Sequence, residues 1–104
     1  MEINRLLTNE AIRAITLKVI KTEMDEAYHS EKLGEKDKEA VMNVLRGIES
    51  KVKYYSTLDS VDSENLCRCL RRGLGKACLA PEERVLARRM LGLINPKKQT
   101  VLRE

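Results

Sequence analysis

Seven cationic side chains, Arg68, Arg71, Arg72, Lys76, Arg84, Arg88 and Arg89, crowd the stretch from Leu66 to Ile94, LCRCLRRGLGKACLAPEERVLARRMLGLI. Six of them are arginines, and a planar guanidinium can hold two oxygens of a phosphate or carboxylate through parallel hydrogen bonds. The carboxylates of the same stretch do not answer them. Three and four positions beyond Glu82 and Glu83 stand Val85, Leu86 and Ala87, so no pair forms at helical spacing. The arginines must therefore pair with the other half of the chain, remain solvated, or meet a ligand. Asp25, Glu26, Asp37 and Glu39 are the intramolecular carboxylates on offer.

The asymmetry extends to the whole chain. Residues 1–65 carry 10 Lys/Arg and 13 Asp/Glu, and residues 66–104 carry 10 and 3, giving the overall net charge of +4. A basic C-terminal third points to a polyanionic or acidic partner, either DNA or RNA or an acidic protein surface. With no Trp, no Phe and three Tyr, a base-stacking platform for single strands is not expected.

Other chemistry fails on spacing. Cys67, Cys69, Cys78 and His29 amount to four potential zinc ligands, but Cys67 and Cys69 stand roughly 200° apart on a helix, and zinc knuckles separate their cysteines by two to four residues. Cys67 reads as a core residue. Cys69, nearer the basic side, reads as the more exposed thiol, its pKa open to lowering by neighbouring arginines. Three cysteines without a framework spacing suit reduced thiols in the cytoplasm. Gly73-Leu74-Gly75-Lys76-Ala77 lacks the first glycine of a phosphate loop, where Leu70 stands, and its Ser or Thr, where Ala77 stands. No nucleophile–base pair or carboxylate pair assembles. The expectation is a protein that is not an enzyme and has no metal or other cofactor.

The elements that must position the cations are helices. The apolar residues are mainly Leu, Ile, Val, Met and Ala, spaced by three and four. The first helix is expected over about Asn9–Ser30, with Thr8 as N-cap, Leu7 and Ile12 as a staple, and Ile12, Ile15, Val19, Ile20, Met24 and Ala27 inward. Thr16 and Glu23 fall inside that apolar arc, so Glu23 is marginal or paired. Gly34 is expected to end the following turn. The second helix, about Lys36–Ser56, shows a narrow stripe of Val41, Val44, Leu45, Ile48, Val52 and Tyr55, which resembles a seam within one chain or between two copies. The third, about Glu64–Leu74 with Ser63 or Asp62 as N-cap, sets Leu66, Cys67, Leu70 and Leu74 inward and its arginines outward, and Gly73 and Gly75 end or loosen it. The fourth, about Pro81–Ile94, takes Pro81 at its first position and Glu82 and Glu83 in its first turn. Its buried side is Leu86, Met90, Leu93 and Ile94, and Asn95-Pro96 stops it.

The reading is an all-α protein, a compact array or bundle of about four helices. Residues 1–96 form a single helical domain and residues 97–104 a flexible basic tail. No apolar run approaches the roughly 20 residues needed to cross a bilayer, and the N-terminus lacks a signal-peptide pattern. The expected function is binding or regulation, through nucleic-acid contact by the arginines. The alternative is a protein-interaction module, an inhibitor or adaptor docking on an acidic patch. A homo-oligomer through the second helix's seam is a further option.

Overall fold

The structure, a computed structural model, describes residues 3–73, 76 and 79–94, without the side chain of Ile94. It is all-α: α1 (Ile3–Leu6), α2 (Glu10–His29), α3 (Glu35–Lys53), α4 (Ser60–Gly73) and α5 (Pro81–Ile94). The anticipated tail and the Asn95-Pro96 stop lie outside the described residues.

The helix starts follow from side chains that satisfy orphan amides. Asn9, rather than Thr8, caps α2: its side-chain oxygen accepts from the N–H groups of Ala11 (2.9 Å) and Ile12 (3.2 Å). The Thr8 hydroxyl is turned back, donating to the Arg5 carbonyl at 2.7 Å. The third anticipated helix begins earlier than Ser63, because Asp59 accepts from the Asp62 N–H at 2.8 Å and the helix enters at Ser60. At α5 the Glu83 carboxylate reaches back to the Ala80 N–H (2.9 Å), half of a capping box.

α2 ends at Ser30 as expected, its N–H donating to the Ala27 carbonyl, and Gly34 closes the turn as the N-cap residue of α3, with φ −71° and no left-handed backbone. α3 stops at Lys53 because Tyr55 takes a left-handed backbone, φ 58°, and the Ser56 N–H closes on the Lys51 carbonyl at 2.8 Å, a Schellman ending built without glycine. Tyr55 is held there by its side chain. The Arg13 guanidinium lies 3.7 Å from its ring centroid, its hydroxyl donates to Glu10 at 2.8 Å, and Arg13 pairs with the same carboxylate. The stack joins the start of α2 to the end of α3.

α2 is the hub, packing against α3, α4 and α5. It buries Ile12, Ile15, Thr16, Val19, Ile20, Glu23 and Ala27. Thr16 costs little there, since its hydroxyl donates to the Ile12 carbonyl at 2.8 Å. Leu45, Ile48 and Val52 of α3, Leu66 and Leu70 of α4, and Ala87 and Met90 of α5 complete the core. α1 is tied down by Asn4, whose side chain both accepts from the Leu58 N–H and donates to its carbonyl (2.8 and 3.0 Å).

The seam of α3 is narrower than its spacing promised. Leu45, Ile48 and Val52 are buried, Val41 is half-buried, and Val44 and Tyr55 are exposed. On α5 the buried line runs through Ala87 and Met90, while Leu93 is 45 % exposed; α5 turns its small Ala87 into the core, which rotates Leu93 outward. Leu74, expected on the buried side of α4, lies outside the described residues.

Candidate nucleic-acid interface

α4 and α5 pack against each other and against α2, which fixes where their cations can go. Two of the seven are neutralised within the fold. Arg72 forms an ion pair with the Glu23 carboxylate, its Nε 2.9 Å from the nearer oxygen. Glu23 is only 6 % exposed, so this guanidinium compensates a carboxylate that α2 has carried inside. Lys76 reaches Glu26 at 3.0 Å. Of the carboxylates anticipated as partners, Glu26 takes that role; Asp25, Asp37 and Glu39 form no ion pair among the described residues.

The carboxylates of α4 and α5 are also engaged. Asp62 pairs with Lys51 of α3, and that hydrogen bond holds the ammonium above its usual range. Glu83 is met by Lys18 of α2 at 2.9 Å. The Ala80 N–H and then Lys18 hold its carboxyl below the usual range. Arg68, Arg71, Arg84, Arg88 and Arg89 remain exposed, their side chains with no ion pair or hydrogen bond among the described residues. Only Glu64 and Glu82 on the same two helices balance them.

Helix geometry arranges these five. Arg68 points directly away from the buried line of Leu66, Leu70 and Gly73, with Arg71 about 60° to one side. On α5, Arg84 and Arg88 lie one turn apart, roughly 6 Å along the axis, and Arg89 emerges about 100° further round, with exposed Val85 between. The connection between α4 and α5 spans residues 74–80, longer than a helix-turn-helix permits.

The cysteines are placed otherwise than expected. Cys69 is 2 % exposed and Cys67 5 %. They occupy opposite shoulders of one wide buried arc, because α4 lies between neighbours rather than against one. Burial first, and then the charge of Glu23, push the Cys69 thiol up, against the hydrogen bond and charge of Arg72; the anticipated lowering by arginines is outweighed. In a Cys78→Ser protein, Cys69 is expected to react with a disulfide reagent about a hundredfold or more slower when folded than in guanidinium. Rapid labelling of Cys69 in the folded protein, located by mass spectrometry, would contradict its burial.

His29 is exposed, with Nδ1 2.9 Å from the Asp25 carbonyl oxygen and its ring edge-on to Tyr28. Among the described residues no group of three or more His, Cys, Asp or Glu could hold a metal ion, and no helix is long and apolar enough to cross a membrane. Cys78 and most of the Gly73–Ala77 segment lie outside the described residues.

The sequence did not point to the groove between α3 and α4. It has a volume of about 290 Å³, with Val41, Val44 and Leu45 on one wall and Arg68, Cys69 and Arg72 on the other. Val44, a member of the α3 stripe that the fold leaves exposed, lies on its rim.

Comparison of the chain with family models, with curated protein sequences and with solved structures gives no match.

Proposed function

We propose that this chain is a small non-enzymatic binding protein that contacts nucleic acid, alone or within a nucleoprotein complex, through phosphate. One observation carries the reading: five exposed arginines on α4 and α5 have no ion-pair partner among the described residues, although the fold neutralises the neighbouring Arg72 and Lys76. Arginine left unpaired on rigid helices suits phosphate, since its fork needs little ordering to bind two oxygens. The long α4–α5 connection and the absence of Trp and Phe favour backbone contact over base readout, so binding should tolerate changes of sequence.

The test is a salt titration of affinity for a labelled random duplex and an RNA hairpin. Four or five phosphate contacts give a log–log slope of about −4. Arg84→Ala with Arg88→Ala is expected to reduce that slope by about 2 and to weaken binding roughly ten- to a hundredfold at moderate salt. Neither residue supports the core, so the helical spectrum should not change. No binding at low salt, or a double variant indistinguishable from the parent, overturns the reading.

A further inference from the structure

We infer that the groove between α3 and α4 is a docking site for an acidic amphipathic helix of a partner protein. This goes beyond the phosphate reading and does not rest on it. The two helices run antiparallel: Lys51 near the end of α3 meets Asp62 near the start of α4, while Val41–Leu45 faces Arg68–Arg72. Between the latter segments the helices leave an open channel of about 290 Å³. That is at the small end for a drug-sized ligand, which a pocket normally encloses. An open channel between two helices instead suits a few apolar side chains entering from a third helix.

The walls define the occupant. Val41 and Val44 supply an apolar side, and Val44 stays 45 % exposed. The opposite side is cationic, and among the described residues no carboxylate lines the channel. Arg68 is unpaired. Arg72 is paired with buried Glu23, which holds its guanidinium in place beforehand at the channel wall. Val61, 63 % exposed, continues the line of Asn65, Arg68 and Arg72 along α4 at spacings of four, three and four. The surface therefore asks for a helix with aliphatic residues three and four apart, flanked by Asp or Glu. Nucleic acid fits it less well, because the valine wall gives a phosphate backbone no partner. A second copy would bring another net charge of +4 to a basic wall.

The test uses the full chain and a synthetic helical peptide of about four turns, carrying leucines at helical spacing and flanking glutamates. Two controls keep either the leucines with lysine for glutamate, or the glutamates with serine for leucine. Micromolar binding is expected for the acidic leucine peptide, and a loss of about tenfold or more for each control. Val44→Gln and Arg68→Gln should each weaken it about tenfold, and Arg84→Ala with Arg88→Ala should leave it unchanged. Val44→Gln in turn should not alter nucleic-acid affinity, so the two readings can fail separately. The inference is overturned if the controls bind equally, if NMR shifts map the peptide to α5, or if the channel proves to be a self-interface whose dimer Val44→Gln dissolves.

Discussion

Leu70→Ala is expected to lower the unfolding free energy by about 3–4 kcal/mol, the largest single loss we anticipate. Leu70 is fully buried and belongs to the core cluster that includes Val19, Ile48, Leu66 and Met90. Removing its isobutyl end forfeits transfer energy and leaves a cavity. Neighbours held by three other helices cannot easily collapse into that space. A domain of this size has roughly 5–15 kcal/mol in total, so the variant should unfold at markedly lower urea with an unchanged slope. Val61→Ala on the exposed side of α4 is the control, with a shift of less than about 0.5 kcal/mol. If Leu70→Ala costs under about 1 kcal/mol by urea titration, α4 does not present this face to the core.

Gly73→Ala should destabilise, by about 1–3 kcal/mol, although helix propensity alone would favour alanine by up to about 1 kcal/mol. A Cβ built on Gly73 falls 2.4 Å from Cγ1 of Val19. Val19 is fully buried and β-branched, so it has no free rotamer to swing away. The glycine serves the close approach of α4 to α2 and not an unusual backbone, for its φ is not positive. The expected signature is coupling. In a Val19→Ala background the same substitution should become neutral or favourable, an interaction energy of about 1 kcal/mol or more across the double-mutant cycle. Additive losses, or a stabilised Gly73→Ala, would show that the helices do not meet at this point.

Long apolar periodicity made the four main helices readable, whereas α1, four residues long, is too short to show any. Cap positions were legible only as a choice among neighbours. Thr8 and Asn9 are both good caps, and what decides is the Thr8 hydroxyl turning to the Arg5 carbonyl. Cys69 was misplaced because a helical wheel supposes one buried side, and α4 has neighbours on more than one. The charge of the last third identified the arginines but not which of them the fold would use. Glu23 inside an apolar arc signalled that some cation must come to it; that the cation is Arg72, 49 residues later, is decided by packing. The α3–α4 groove needs two helices in register, which no single stretch of sequence describes.

The central place of α2 has a consequence during synthesis. Its partners arrive in order along the chain: α3 next, then α4, and α5 last. Thr16 meets Met90 across 74 residues, and Lys18 meets Glu83 across 65. A hairpin of α2 and α3 alone would leave one side of α2 bare, and that side could be covered only once α5 has left the ribosome. Sealing the core is a late event, and a chain arrested before Pro81 would present Thr16 and its apolar neighbours to whatever binds unfinished proteins.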